Sequence, residues 1–261
     1  MSKQLKGDTE EYQKKKRFYD SVLTIFGRKP VLEALQNPAI KLHRLHLATS
    51  NKTAGIIEEI CELARKKDVE ILYHDKQALS RISKNSKQDQ GIALDIQTPG
   101  FEDFQHFLDN NSLDSHSFIA LDRITNPQNL GMILRTVCAS PTRAIILPRK
   151  GCAKLDSLVI KASAGTLFKA SILWCDSLED CLKAMQDKGA KIICLDAKAP
   201  VSLNDYKQNG CSVFVLGNET HGPGNDIQQL SDLKVSIPMM NGVESLNVAV
   251  TAGIIAFRQQ N

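Results

Sequence analysis

Three polar clusters in the second half of the chain carry residue types that chemistry needs. The first is Asn126-Pro127-Gln128-Asn129-Leu130-Gly131-Met132-Ile133-Leu134-Arg135. An arginine on a helix offers a planar, permanently charged fork that suits a phosphate. Asn129 and Arg135 are six positions apart, about 240° around a helix of 3.6 residues per turn. They converge only if Asn129 lies in the turn before the helix. The plainer reading is a cap at Asn126 and a surface arginine. The second cluster is Leu216-Gly217-Asn218-Glu219-Thr220-His221-Gly222-Pro223-Gly224. Its glycines let backbone pass close to a ligand. Glu219 would orient a donor or hold an arginine, while His221 reads as an exposed turn residue. The cluster is not G-x-G-x-x-G and lacks the P-loop Lys-Ser/Thr, so dinucleotide-cofactor and NTPase patterns fail. The third cluster is Ile237-Pro238-Met239-Met240-Asn241-Gly242-Val243-Glu244-Ser245-Leu246-Asn247. Either Ser245 caps the helix that follows, or the loop backbone clasps an adenine-like ring between Ile237 and Leu246. A weaker stretch, Lys161-Ala162-Ser163-Ala164-Gly165-Thr166, has the small residues of tight helix packing.

The elements around these clusters predict an α/β protein. Residues 24–96 alternate short strands (42–48, 69–73, 91–96) with helices. Those helices follow Pro30, run over 54–67 and start at an Asp75 cap. They predict a small α/β N-terminal domain after a flexible basic tail, 1–23, that contains Lys14–Arg17. Residues 97–116 lack apolar regularity and read as a linker with one helical turn around Phe104. From 117 to 261 the pattern is longer. Apolar strands (118–122, 143–148, 171–174, 191–196, 211–217) alternate with helices (126–140, 155–165, 177–189, 225–232, 246–259). Strands that are apolar throughout predict a parallel sheet covered on both faces. The first two clusters directly follow strands, where open α/β sheets bind ligands.

Composition narrows the classes. The 261 residues are 42% hydrophobic and 24% charged, as in an ordinary globular chain. No apolar run approaches the ~20 residues of a membrane span, and the N-terminus lacks a signal peptide's apolar core. The net charge of +4 is uneven. Residues 1–96 carry 18 Lys+Arg against 13 Asp+Glu, and the rest carry 15 against 16. That suits a polyanion-binding front on a near-neutral second module, whose positive field would gather at Arg135, Lys161 and Arg123. The seven cysteines are odd in number and include no C-x-x-C. They predict neither a disulfide framework nor a zinc finger, and they point to a reducing cytoplasm. The six histidines form no metal-ligand motif, although His-Arg-Leu-His puts His43 and His46 on one strand face. No metal is expected. No G-x-S-x-G occurs, so a serine hydrolase is unsupported.

In their order, N-P-Q-N-L-G-x-x-x-R, L-G-N-E-x-x-G and I-P-M-x-x-x-x-x-S-L-N-V resemble the three signature motifs of the SpoU (TrmH) family of RNA ribose 2′-O-methyltransferases. The resemblance covers 117–261. Residues 24–96, with FGRKPVLEAL and DQGIALDI, resemble that family's RNA substrate-binding domain. The resemblance implies a SPOUT fold with a deep trefoil knot, S-adenosylmethionine held bent in the knot, and a homodimer with active sites at its interface. By the same resemblance Gly217, Ile237 and Leu246 line the cofactor pocket, with Asn218 and Ser245 nearby. Arg135, Asn129, Glu219, Ser245 and Asn247 match positions implicated in catalysis. The implied substrate is structured RNA, ribosomal RNA of the large subunit first and transfer RNA second. Two departures stand out. Pro141 replaces a frequent glycine, and Asp89 replaces a frequent histidine, where an acid would weaken an RNA contact. The rival readings are an RNA-binding protein that has lost catalysis and a nucleotide-binding protein that uses the glycine-rich turn.

Overall fold

A computed structural model of the chain describes residue 18 and residues 21–38, 40–98, 100–218 and 222–258. Most of the expected basic tail, together with Glu219 and His221, lies outside these residues. Two compact units divide between Pro99 and Gly100.

The first unit runs β1 (Val22–Phe26), α1 (Arg28–Gln36), β2 (Lys41–Ala48), α2 (Ile56–Lys66), β3 (Glu70–His74), α3 (Lys76–Ser83) and β4 (Ile92–Gln97). Its sheet has the order β1-β4-β2-β3. β4 is antiparallel to both β1 and β2, and β2 is parallel to β3. α2 buries Ile57, Ile60, Cys61 and Ala64, the face its 3.6-residue periodicity predicts. α3 begins where Asp75 accepts the Ala78 N–H at 2.7 Å. A polar row crosses the sheet. Thr24 donates to Asp95 at 2.6 Å, and His46 bonds Asp95 at 3.0 Å and His74 at 2.9 Å. Asp89 departs from expectation. It is buried, accepting from Ser83 at 2.8 Å and from the Gly91 N–H at 3.0 Å. It therefore shapes its loop and does not repel RNA at the surface.

The second unit runs β5 (Phe101–Asp103), α4 (Phe104–Asn110), β6 (Ser117–Leu121), α5 (Pro127–Cys138), β7 (Ala144–Pro148) and α6 (Ser157–Ala162). It continues with a 3-10 turn (Thr166–Lys169), β8 (Ile172–Cys175), α7 (Leu178–Asp187), β9 (Lys191–Leu195) and β10 (Val201–Ser202). The last elements are β11 (Ser212–Leu216), α8 (Asn225–Leu230), β12 (Leu233–Ser236) and α9 (Val248–Ala256). The eight strands form one sheet of order β10-β12-β9-β11-β6-β7-β8-β5, and every neighbouring pair is parallel. This is the predicted α/β class, a parallel-sheet domain accompanied by a smaller α/β unit. β6 and β11 are buried along nearly their whole lengths, as strands covered on both faces must be.

Two expectations need correction. Much of 97–116, expected as a linker, is built into this unit. β5 is its edge strand, and Phe104, Phe107 and Leu108 on α4 are buried in the core. A three-residue strand and a seven-residue helix are too short to show a period. The helix expected through Gly165 stops at Ala162, and the chain then turns through Ala164 and Gly165, both at positive φ. The small residues before that stop serve packing. A Cβ on Gly131 of α5 would lie 2.5 Å from the Ala162 Cβ and 2.8 Å from the Val159 carbonyl oxygen.

Candidate active site

The chain runs outward from β6 through β7 to β8, then crosses to β9 and returns to place β11 beside β6. β6 and β11 thus flank a topological switch point, the place where open α/β sheets bind ligands. The structure ties these loops together. The Asp122 N–H donates to the Leu216 carbonyl at 2.8 Å. The Asp122 carboxylate accepts the Gly224 N–H at 2.7 Å, and Arg123 donates to the Gly222 carbonyl at 3.3 Å. Arg123 adopts φ 56° and pairs with Asp122 at 3.1 Å, so its charge is partly spent inside the protein. Asp122 was missed as a site residue. Its only signal was an acid ending an otherwise apolar strand.

After β11 the chain folds back on itself. The Gly222 N–H donates to the Asn218 carbonyl at 2.8 Å, and a Cβ on Gly217 would fall 2.0 Å from the Gly222 carbonyl carbon. Only glycine fits there. Glu219, expected beside it, is outside the described residues.

Asn126 caps α5, accepting from Gln128 N–H at 2.8 Å and Asn129 N–H at 3.4 Å. Pro127 takes the first helical turn, where its missing N–H costs nothing. Asn129 therefore lies within the helix, 5% exposed, and Arg135 is exposed. Asn129 does not lie in the turn ahead of the helix, the placement that convergence with Arg135 required. Arg135 has no hydrogen bond or ion pair among the described residues.

Asn129 instead meets the third cluster. Asn247 Nδ2 donates to Asn129 Oδ1 at 3.0 Å, and Asn247 Oδ1 accepts the Ala249 N–H at 2.8 Å. Asn247 is thus the cap of α9, the role expected for Ser245, because its one amide serves both bonds. Ser245 is exposed in the preceding loop. α9 packs on α5, with a Cβ on Gly253 3.3 Å from Thr136 Cγ2.

Ile237 leaves β12 and Gly217 leaves β11 at the same edge of the sheet, on either side of β9. Strand spacing puts their backbones roughly 10 Å apart. Ile237, Leu246 and Asn218 are half-buried, and Gly217 is buried. The second and third clusters therefore border the same edge of the sheet. No group of three or more His, Cys, Asp or Glu able to hold a metal occurs among the described residues. The Cys152 thiol donates to the Leu121 carbonyl at 3.6 Å, and burial pushes its pKa up.

Comparison with known proteins agrees with this geometry. Residues 116–257 match the family model of the SpoU rRNA methylase family, and residues 24–101 match that of RNA 2′-O ribose methyltransferase substrate binding. The chain is 31% identical over 243 residues to an uncharacterized tRNA/rRNA methyltransferase of Mycobacterium leprae, covering 90% of this chain and 76% of that one. It is 29% identical over 247 residues to one from Mycolicibacterium smegmatis, covering 94% and 78%. Its fold is similar to that of an AdoMet-bound rRNA methyltransferase from Sinorhizobium meliloti. The TM-score is 0.61 at 20% identity, over 95% of this chain and 89% of the other.

Proposed function

The chain belongs to the SpoU rRNA methylase family, and from its site we propose that it transfers a methyl group from S-adenosylmethionine to a ribose 2′-hydroxyl of structured RNA. The substrate on this reading is large-subunit ribosomal RNA, with transfer RNA as the alternative. The observation that carries this reading is the Asn129–Asn247 bond, which joins two motifs 118 residues apart in sequence.

The residues present fit the cofactor. Gly217 holds the tight turn after β11 that only glycine allows, and Ile237 and Leu246, both half-buried at the same sheet edge, offer apolar walls for an adenine. Ser245, exposed in the same loop, contributes a hydroxyl. When bound, S-adenosylmethionine supplies an electrophilic methyl group. A guanidinium is a donor with no acceptor site, so Arg135 is no general base. Its fork is free to hold the phosphate beside the target ribose and to stabilise charge developing on the 2′-oxygen. Positioning of this kind supplies much of the rate of a displacement. Glu219 belongs to this proposal as the residue that orients its neighbours.

A homodimer completes the arrangement. Val250, Ile254 and Phe257 form an exposed apolar stripe along α9, and Met132, exposed on α5, lies one turn from Arg135. A second copy packed there would bury the stripe and bring Arg135 to a shared site. The trefoil knot is part of the same reading. The chain leaves β12 near one sheet edge and returns to pack α9 on α5 and β11. A reducing cytoplasm suits the seven free thiols.

Calorimetry with S-adenosylmethionine and mapping of ribose methylation in RNA from cells with and without the gene test the reading. Arg135→Ala is expected to abolish methyl transfer while S-adenosylmethionine affinity stays within about threefold, under 1 kcal/mol. No cofactor binding by the wild type would favour an RNA-binding protein without catalysis. Methyl loss at a tRNA position would move the substrate from ribosomal to transfer RNA.

A further inference from the structure

α9 meets the site at its first turn, through Asn247, and is held at its other end by Arg258. Two positions past the helix, Arg258 Nη1 donates to the Tyr206 carbonyl at 3.0 Å and Nη2 donates to Gln208 Oε1 at 3.2 Å. The guanidinium carbon lies 4.8 Å from the Tyr206 ring centre and 5.1 Å from that of Phe214. The side chain is half-buried and has no carboxylate partner among the described residues. Burial lowers its pKa, as expected of a cation drawn partly out of water.

The segment that receives Arg258 is itself fastened to the sheet. Gln208 Oε1 also accepts from Ser117 Oγ at 2.9 Å, and its Nε2 donates to the Ser115 and Gly210 carbonyls, each at 3.1 Å. The Tyr206 hydroxyl meets Ser212 Oγ at 2.9 Å, and both residues are buried. Ser117 opens β6 and Ser212 opens β11. Arg258 therefore ties the end of α9 to the starts of the two strands whose other ends carry the motif loops. The lengths agree. The nine residues of α9 span about 14 Å and the five of β6 about 17 Å.

Between its ends nothing polar fixes α9. It buries Val248, Ala249, Ala252, Ile255 and Ala256, and no side chain from Val248 to Ala256 makes a hydrogen bond among the described residues. Apolar burial is non-directional, so it sets no position along the helix axis. A slide by one residue, about 1.5 Å, would break the 3.0 Å bond from Asn247 to Asn129. We propose that Arg258 is a positioning residue for methyl transfer. It fixes α9 along its axis, and so keeps Asn247 on Asn129 and the loop 237–246 at the cofactor edge. This rests on the methyl-transfer reading above. Both nitrogens of the fork are used, so a single ammonium would replace it only in part.

The test uses the full chain, ribosomal RNA from cells lacking the gene and S-adenosylmethionine with a labelled methyl group. Arg258→Met keeps the apolar stem against the rings and removes the donors. It is expected to lower kcat about tenfold and S-adenosylmethionine affinity about fivefold, with the KM for RNA within about twofold. Arg258→Lys should recover part of both, and it carries the same comparison if Arg258→Met fails to fold. Ser177→Ala removes the cap of α7 and serves as a destabilised control whose kcat should stay at the wild-type value. The decisive measurement is a cycle with Asn247→Asp. If Arg258 acts through Asn247, the double variant loses little more than Asn247→Asp alone. Unchanged kcat and cofactor affinity in the Arg258 variants would overturn the proposal. So would losses that multiply in full in the double variant, or a kcat that falls equally in Ser177→Ala. A wild type that binds the cofactor and transfers no methyl group refutes the enzyme and leaves the affinity cycle readable. A wild type that does neither overturns both.

Discussion

Asn247 performs two tasks with one amide. Its oxygen caps α9 and its nitrogen reaches Asn129 on α5. The tasks separate by substitution. Asn247→Ala removes both and is expected to lower stability by about 1–2 kcal/mol, the usual value of a lost cap. Asn247→Asp keeps an oxygen for the Ala249 N–H but has no donor for Asn129. Urea unfolding should show Asn247→Asp near wild-type stability, while methyl transfer falls in both variants. Full activity in Asn247→Asp would mean that the Asn129 contact does not shape the site. The same separation explains why Asn247, and not Ser245, caps α9. A serine before a helix is a good cap, yet the asparagine two positions later reaches both the helix N-terminus and its partner 118 residues away.

Helices and strands show how much could be read in advance. The long apolar strands around the site, β6, β7, β9 and β11, were legible because burial on both faces leaves no polar position to confuse. β12, with Leu-Lys-Val-Ser, and β5, three residues long, were not, because each sits near a sheet edge and carries too little pattern. The motif residues were legible as clusters. Their pairing was not, since the placement of Asn129 inside α5 depends on Asn126 and Pro127 opening the helix three residues earlier. The row Thr24–Asp95–His46–His74 was invisible because no strand carries more than one of its members. With Asp95 ionised, His46 donates Nε2–H to it and accepts from His74 at Nδ1. Burial lowers the His74 pKa, His46 lowers it further and Asp75 opposes. Burial alone would raise Asp95, but the bonds from His46 and Thr24 outweigh it and hold its carboxyl below the ordinary 3.8. The sign follows for each. As pH falls through 6.5 the unfolded chain takes up a proton that folded His74 resists. Its contribution is therefore full above that pH and declines toward the folded pKa. Asp95 adds a second decline below 3.8. Thermal unfolding of the full chain should show a lower melting temperature at pH 5.5 than at pH 7.5, with a smaller difference in His74→Gln. An equal difference in both proteins would remove His74 from the acid response.

At the scale of the whole molecule, charge and apolar surface divide the labour. The front of the chain carries an excess of five positive charges, and the remainder is nearly neutral. In that second part Arg123 is held by Asp122, which leaves Arg135 as the motif cation free to meet a phosphate. Arg135 is exposed on α5, as Met132 is, whereas Asn129 is buried and bonded to the α9 cap. On the function proposed above, the cofactor-binding edges and the exposed arginine of one chain serve different copies, and twofold pairing through the α9 stripe would bring one copy's arginine to the other copy's cofactor edge. Light scattering should then give twice the 28.9 kDa chain mass, and Ile254→Glu, which charges the centre of the stripe, should give a single mass. Complementation tests the sharing itself. Arg135→Ala and Gly217→Val are each expected to lack methyl transfer, the second because its side chain would strike the Gly222 backbone. Co-expressed, they form some mixed dimers with one cofactor edge that has both an intact Gly217 and an arginine from the partner, so activity should return. No recovery from a mixture shown to contain mixed dimers would place each arginine with its own chain's cofactor edge.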